Sequence, residues 1–310
     1  MPGSDQVQRA VGLLGERCRR DHPLGPLTTY RVGGPAAAFV VVDDEAQLPA
    51  VSSAVRETGV EVLVVGKGSN LLVADAGFAG LALALGPAFG TIEPDGDTVR
   101  AGAAVDLPVL ARQTAAAGLR GLEWAVGVPG SVGGGVRMNA GGHGSDIAAR
   151  LTRVRLLDLA SGQDEVVDAS DLALGYRRSA VTPDRVVIWA EFRLTAGDAA
   201  AAQAEVSSIV RWRREHQPGG QNAGSVFTNP VGDSAGRLVE FAGCKGLRLG
   251  SAQVSVKHAN FIQSAPGGSA DEVAALIAEV RRRVLVATGV SLQPELRMVG
   301  FDGGPLQGGQ

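Results

Sequence analysis

The sequence predicts a mixed α+β protein of two or three domains, and three observations lead there. The chain has 310 residues, against roughly 150 residues for an ordinary domain. Helix and strand patterns alternate near the start, give way to a strand-rich middle, and return to helices in the last third. The first glycine-rich loop follows a strand but leads into more strand, whereas a dinucleotide-binding α/β sheet would open a helix there. The chain is 45% hydrophobic and 20% charged, and one of this length can bury about 75% of its unfolded surface.

In chain order, Val7, Ala10, Val11, Leu14 and Cys18 share one helical face, predicting a helix over 5–20 capped by Ser4 or Asp5. A Pro-bounded turn follows. A strand at 37–42, a helix at 44–57 and a strand at 61–65 form a βαβ unit with parallel strands. Residues 71–77 and 81–85 read as short strands after the loop Gly66-Lys67-Gly68-Ser69-Asn70. Further strands are expected at 98–104, 151–159, 164–168 and 185–194, with a helix at 106–117 capped by Asp106 and opened by Pro108. A second glycine-rich stretch, 127–135, runs into Met138-Asn139-Ala140-Gly141-Gly142. The last third has helices at 198–216 and 234–242, strands at 253–256 and 261–264, a helix opened by a Ser269/Glu272 capping box, and a strand at 292–298.

Charge and composition narrow the function classes. Lys+Arg 29 against Asp+Glu 32 gives a net charge of −3, which argues against nucleic acid or an anionic membrane as the main partner. A local basic pocket for a phosphorylated small molecule is still allowed. Aromatics at 4% leave little for base stacking. Glycine, at 44 residues, follows no collagen period and belongs to turns and close backbone approaches. Cys18 and Cys244 form no CxxC pair and read as reduced core thiols. His22, His143, His216 and His258 are scattered without ligand spacing, so no metal site is expected. Glu16, Arg17, Arg19 and Arg20 interrupt any leader-like start, and no run of about 18 apolar residues exists. The expectation is a soluble, cytoplasmic chain.

Two glycine-rich loops can direct many backbone N–H groups at one diphosphate. Tyr176-Arg177-Arg178-Ser179 is either a solvated basic turn or an arginine fork presented to an anion. Ser225, in a Gly-Ser turn, is either a cap or a catalyst. Glu295, among Leu292, Leu296, Met298 and Val299, is either on an exposed face or buried with a partner and a raised pKa.

Eight motifs in order resemble one family: Thr28-Thr29 with Val32-Gly33-Gly34-Pro35, then GKGSNLL at 66–72, GVPGSVGG at 127–134, MNAG at 138–141, YRRS at 176–179, NAGSVF at 222–227, VSVKHANFI at 254–262 and QPELR at 293–297. Together they resemble the UDP-N-acetylenolpyruvoylglucosamine reductase (UDP-N-acetylmuramate dehydrogenase, MurB) family of peptidoglycan precursor synthesis. The resemblance implies a vanillyl-alcohol-oxidase/PCMH-type FAD-binding fold of two α+β subdomains, at 1–84 and 85–197. An α+β substrate domain at 198–291 follows, and the C-terminal strand at 292–310 returns near the active site. It implies FAD as cofactor and NADPH as reductant, with a hydride passing through the flavin to the enolpyruvyl methylene carbon of a nucleotide sugar. No nucleic acid, membrane or obligate protein partner is implied.

By the same resemblance, Gly66, Lys67, Gly68, Ser69, Asn70, Leu71, Pro129, Gly130, Ser131, Gly133, Gly134 and Asn139 would bind the cofactor. Arg177 and a protonated Glu295 would stabilise charge on the substrate, and Ser225 would donate the proton. Tyr176, His216, Asn229 and Lys257 would contact the substrate. His216 stands where relatives have lysine, and a histidine loses its charge near neutrality. Thr228, Gly135 and Arg137 also depart from the family pattern, which bears on substrate and NADPH contacts. The short stretch between Leu194 and Val206 places the chain in the compact branch, without a substrate-covering tyrosine insertion. Two other readings use the same loops: a flavin oxidoreductase of this fold with another substrate, and a non-catalytic flavin or nucleotide-sugar binder.

Overall fold

The computed structural model describes residues 2–301, so the part of the expected terminal strand beyond 301 lies outside the described residues. The chain forms two compact units, each assembled from separate stretches. The first takes residues up to Arg20, Ala37–Lys67 and Ala79–Arg213, and the second takes Asp21–Ala36, Gly68–Phe78 and the chain from Arg214 onward.

The first unit has two hydrophobic cores. Around one lies a four-stranded sheet in the order Cys18–Pro23, Pro35–Val42, Phe78–Leu85, Val62–Val64. Helices α1 (Pro2–Leu14) and α2 (Leu48–Thr58) bury Val7, Ala10, Val11, Leu48, Val51 and Val55 in this core. The first helix stops short of the expected Arg20 because Gly15 turns left-handed at φ +58°. Cys18, expected on its apolar face, begins a strand instead. The second helix is preceded by a 3₁₀ turn capped by Asp44 and ended by Gly59 at φ +63°. The expected βαβ unit is modified. Val62–Val64 pairs in parallel with Phe78–Leu85, Val62 opposite Leu81, and that strand separates it from Pro35–Val42.

The second core lies on a five-stranded antiparallel sheet ordered Asp164–Asp168, Leu151–Asp158, Arg185–Arg193, Thr98–Gly102, Ile92–Asp95. Phe192, Leu110, Leu122 and Ile147 are fully buried in it. Helix α3 (Leu107–Ala116) starts after Asp106, whose side chain makes no cap bond; it meets Lys67 Nζ at 2.5 Å instead. The second glycine-rich stretch, in which no helix is expected, contains α4 (Val132–Met138), with the Ser131 hydroxyl accepting from Gly134 N–H. Helix α5 (Ala199–His216) follows the short strand Thr195–Ala196 and buries Ala202, Val206 and Ile209.

In the second unit, α6 (Ala235–Phe241) and α7 (Ala270–Thr288) enclose a core with the antiparallel strands Arg248–Leu249, Ala252–Val254 and Ile262–Ser264. Tyr30, Val32 and Leu72 complete that core. The expected Ser269/Glu272 capping box closes through a third residue. Ser269 Oγ accepts from Glu272 N–H at 3.1 Å, but the Glu272 carboxylate accepts from Ser251 N–H at 2.7 Å, and Ser251 Oγ accepts from Ser269 N–H at 3.0 Å. Asp75 also holds this helix start, accepting from Ala270 N–H at 2.9 Å. The strand expected at 292–298 is confined to Arg297–Val299, which pairs in parallel with Leu71–Val73. Gly34 permits the tight packing beside this pair, since a Cβ there would lie 2.2 Å from the Asp75 carbonyl oxygen.

In the first unit, Arg153 donates to both carboxylate oxygens of Glu191, at 2.8 and 3.0 Å. That pairing holds the Glu191 carboxyl below its ordinary range. A depressed folded pKa stabilises the protein above the unfolded value of about 4.3, and the contribution is lost as pH falls through the folded value. Glu191→Gln is therefore expected to be less stable than the parent at neutral pH, with the gap closing below about pH 4 in urea titrations. A gap that stays constant with pH would mean that the ion pair contributes nothing.

Candidate active site

A cavity of about 340 Å³ opens within the first unit between the ends of both sheets and α4. Val65, Leu85, Ala104 and Val187 give it an apolar wall, while Lys67, Arg137 and Arg185 add cationic groups. Of the residues expected at the cofactor, Gly66, Lys67, Ser131, Gly133 and Gly134 line this cavity. The two glycine-rich loops meet here. A Cβ on Gly66 would sit 2.6 Å from Ser131 Oγ, and one on Gly133 would sit 3.0 Å from the Ala103 Cβ. Ser131 is held in turn by an antiparallel bridge to Asp106, the residue that pairs with Lys67. Pro129 is exposed and Gly130 buried, and the Gly130 carbonyl accepts from Leu107 N–H at 2.9 Å.

The rest of the first loop belongs to the second unit. Gly68 adopts φ +59°, and a Cβ there would meet the Leu27 carbonyl oxygen at 2.3 Å. Ser69 is half-buried. Asn70 Nδ2 donates to the Glu295 carbonyl at 2.9 Å, and Arg297 N–H donates to the Asn70 carbonyl at 2.9 Å, so Leu71 stands in register with Arg297. Glu295 N–H donates to the Val226 carbonyl at 2.7 Å, and Phe227 bridges Pro294. Ser225 and Glu295, far apart in the chain, thus lie on adjoining backbone segments, both half-buried.

Arg177 occupies the second position of a two-residue turn. Gly175 and Arg178 exchange backbone hydrogen bonds at 3.0 and 3.1 Å around it, and Arg177 is left-handed at φ +57°. Its guanidinium lies 5.5 Å from the ring of Tyr176, which is itself 61% exposed. Asn139, expected at the cofactor, is 3% exposed and fully engaged within the protein. Its Nδ2 donates to the Gly175 carbonyl at 2.9 Å and to Asp146 Oδ2 at 3.1 Å, while its Oδ1 accepts from Ala148 N–H at 3.0 Å. This leaves no side-chain donor of Asn139 for a ligand.

Among the residues expected at the substrate, Lys257 and His216 come to one place in the second unit. Lys257 Nζ donates to the Arg214 carbonyl at 2.6 Å, at the exposed end of α5 that carries His216. Asn229 Oδ1 accepts from Ala235 N–H at 3.0 Å, at the start of α6. His143 and His258 take structural places. Burial is the main cause that lowers both pKa values; His143 stands edge-on to Trp212 at 5.0 Å, and His258 Nδ1 accepts from Asn260 N–H at 3.2 Å. Burial raises both thiols, Cys18 and Cys244. Arg137, Val181, Arg185 and Val187 of the cavity wall lie outside the residues expected at the cofactor. Only the basic character of Arg137 next to a glycine-rich stretch could have marked it.

An apolar slot with a cationic edge, walled by glycine backbone, fits one planar base and its phosphates, which are the components of a dinucleotide cofactor. Its size is near the lower end of the ~300–1,000 Å³ seen for ligand pockets, enough for one half of such a cofactor. Fold and site thus define an FAD-binding protein, and a family model described as FAD binding domain matches residues 36–168. A second model, UDP-N-acetylenolpyruvoylglucosamine reductase, C-terminal domain, matches residues 216–299. A UDP-N-acetylenolpyruvoylglucosamine reductase of Synechococcus sp. (strain WH7803) is 43% identical, with 97% of each chain covered. The one from Heliobacterium modesticaldum is 42% identical, over 94% of this chain and 93% of that one. The crystal structure of the enzyme from Thermus caldophilus superposes with a TM-score of 0.80 at 33% identity, covering 91% of this chain and 99% of that one. The chain belongs to the UDP-N-acetylenolpyruvoylglucosamine reductase family.

The Gly66–Ser131 approach is directly testable. Ser131→Ala removes a helix cap and is expected to cost about 1 kcal/mol. Gly66→Ala should destabilise the parent, yet cost less in the Ser131→Ala background, where the 2.6 Å collision with Oγ is gone. Denaturant titration of the two single variants and the double variant measures this; purely additive costs would remove the contact as the reason for the glycine.

Proposed function

We propose that the chain reduces UDP-N-acetylglucosamine enolpyruvate to UDP-N-acetylmuramate, an FAD-dependent, NADPH-consuming step of peptidoglycan precursor synthesis, and that it does so in the cytoplasm. Bound FAD supplies the hydride, taken from NADPH. Residues of the first unit hold the cofactor: Gly66 and Gly133 keep backbone close to it, and Lys67, Arg137 and Arg185 meet its negative charge. The unit's two cores support reading it as two subdomains of a cofactor-binding module, with the C-terminal part of the second unit as substrate module.

The chain's own residues then handle charge and protons. As hydride reaches the methylene carbon, negative charge builds on the enolpyruvyl carboxylate. The Arg177 fork and a protonated Glu295 stabilise it, each such donor being worth about 3–4 kcal/mol. Ser225 delivers a proton to the neighbouring carbon as general acid. Lys257 offers a cationic group and His216 a hydrogen-bonding imidazole to the nucleotide diphosphate, with Tyr176 and Asn229 as further substrate contacts. The observation that carries this reading is the Glu295 N–H to Val226 carbonyl bond, which sets the proposed proton donor and carboxyl on adjoining segments.

The purified protein is expected to be yellow and to release flavin on heating. Ser225→Ala should leave reduction of the flavin by NADPH intact while slowing substrate reduction by about 10²- to 10⁴-fold. Rapid mixing separates the half-reactions. Equal losses in both would end the assignment of Ser225 as proton donor, and a colourless protein would end the whole reading.

A further inference from the structure

Arg177 holds a backbone conformation that side-chain-bearing residues avoid, so something outside its own turn must keep it there. A two-residue turn with φ near +57° at its second position ordinarily takes glycine there. Such outliers persist only where neighbouring structure over-determines them, and they concentrate at functional sites.

Two side-chain hydrogen bonds join this turn to the end of α4 within the first unit. On one side, Asn139 Nδ2 donates to the Gly175 carbonyl, the group that also accepts from Arg178 N–H to close the turn. On the other, Ser179 Oγ donates to the Arg137 carbonyl at 2.7 Å. Asn139 is well placed for this task. It ends α4 at φ +39°, a conformation that asparagine tolerates better than most residues, and it is nearly fully buried. Its amide cannot rotate without loss, because Asp146 takes the second N–H and Ala148 N–H requires the oxygen. Asp146 is fixed in turn by Ala149 N–H at 3.2 Å on its other oxygen.

We propose that Asn139 is a positioning residue for the reductive step: by gripping the Gly175 carbonyl it sets the turn that aims Arg177, and it contacts neither cofactor nor substrate. This rests on the reading of Arg177 given above. It also makes the glycine-rich stretch do two jobs, since the helix whose start lines the cofactor cavity ends on the residue that orients the substrate-facing arginine.

Two substitutions isolate the grip. Asn139→Gly accepts the left-handed backbone and removes the side chain; Asn139→Asp keeps the acceptor for Ala148 N–H and removes the donor to Gly175. Both are made in the full-length flavoprotein, alone and combined with Arg177→Ala. The expected result is full flavin content, an unchanged rate of flavin reduction by NADPH, and substrate reduction slowed about 10- to 100-fold in single turnover. In the Arg177→Ala background the Asn139 substitutions should add no further loss, because the residue acts through that arginine. Loss of flavin, slowing of both half-reactions, or the same further loss without Arg177 would each overturn the proposal. If Asn139→Gly does not fold, Asn139→Asp alone decides it by the same readings. Failure of the underlying reading has a different signature: Arg177→Ala itself would leave substrate reduction unchanged.

Discussion

The second unit depends on one short stretch of parallel pairing, Leu71–Val73 against Arg297–Val299. Three consecutive segments are placed by it. Asn70, just before the strand, donates its side-chain N–H to the Glu295 carbonyl; Glu295 in turn donates its backbone N–H to Val226; and Val226 follows Ser225. A register slip of one residue would turn every side chain of the terminal strand to the opposite face. It would also carry the proposed carboxyl away from the proposed proton donor. The fully buried Leu72 side chain resists such a slip, because it packs in a core with Tyr30 and Val32.

Among the described residues of the first unit, four residues other than glycine are left-handed: Asn139, His143, Ala173 and Arg177. Arg177 and Asn139 are both left-handed without being glycine, and they are linked through the Gly175 carbonyl. Arg177 alone is unfavourable by roughly 1–2 kcal/mol, and Asn139 by less because asparagine visits this region routinely. Hydrogen bonds to Asp146, Ala148, Gly175 and Arg137 offset that cost.

Much of this was readable in the sequence, and the rest has identifiable reasons. Elements with strong local signals came out close to expectation. Asp164–Asp168 coincides with its predicted range, and α3, α6 and α7 begin where Asp106, Ser234 and Ser269 stand. The rejection of a helix after Gly66-Lys67-Gly68-Ser69-Asn70 is matched by the strand Leu71–Val73. Structure departs from local sequence signals where tertiary partners decide. Gly15 could not be told from a tolerated helical glycine, and α4 was hidden by its own glycines. The Asp106 carboxylate was diverted to Lys67, which lies in a different loop. At the site, the motifs point to loops and leave open what each side chain does. Asn139 stands in a cofactor-like motif, yet its amide is consumed by Asp146, Ala148 and Gly175, whose proximity no local pattern reveals.

The interleaved make-up of the units has a consequence for biosynthesis. Tyr30, Val32 and Leu72 are translated early, yet the core that shelters them consists mostly of residues from Ala223 to Leu296. Until the end of the chain leaves the ribosome, these early apolar groups, and the sheet edge at Leu71–Val73, have no permanent cover. Exposed apolar surface of this kind is prone to aggregate during that interval. For the same reason, a fragment cut at the start of the C-terminal third would be missing part of its own interior.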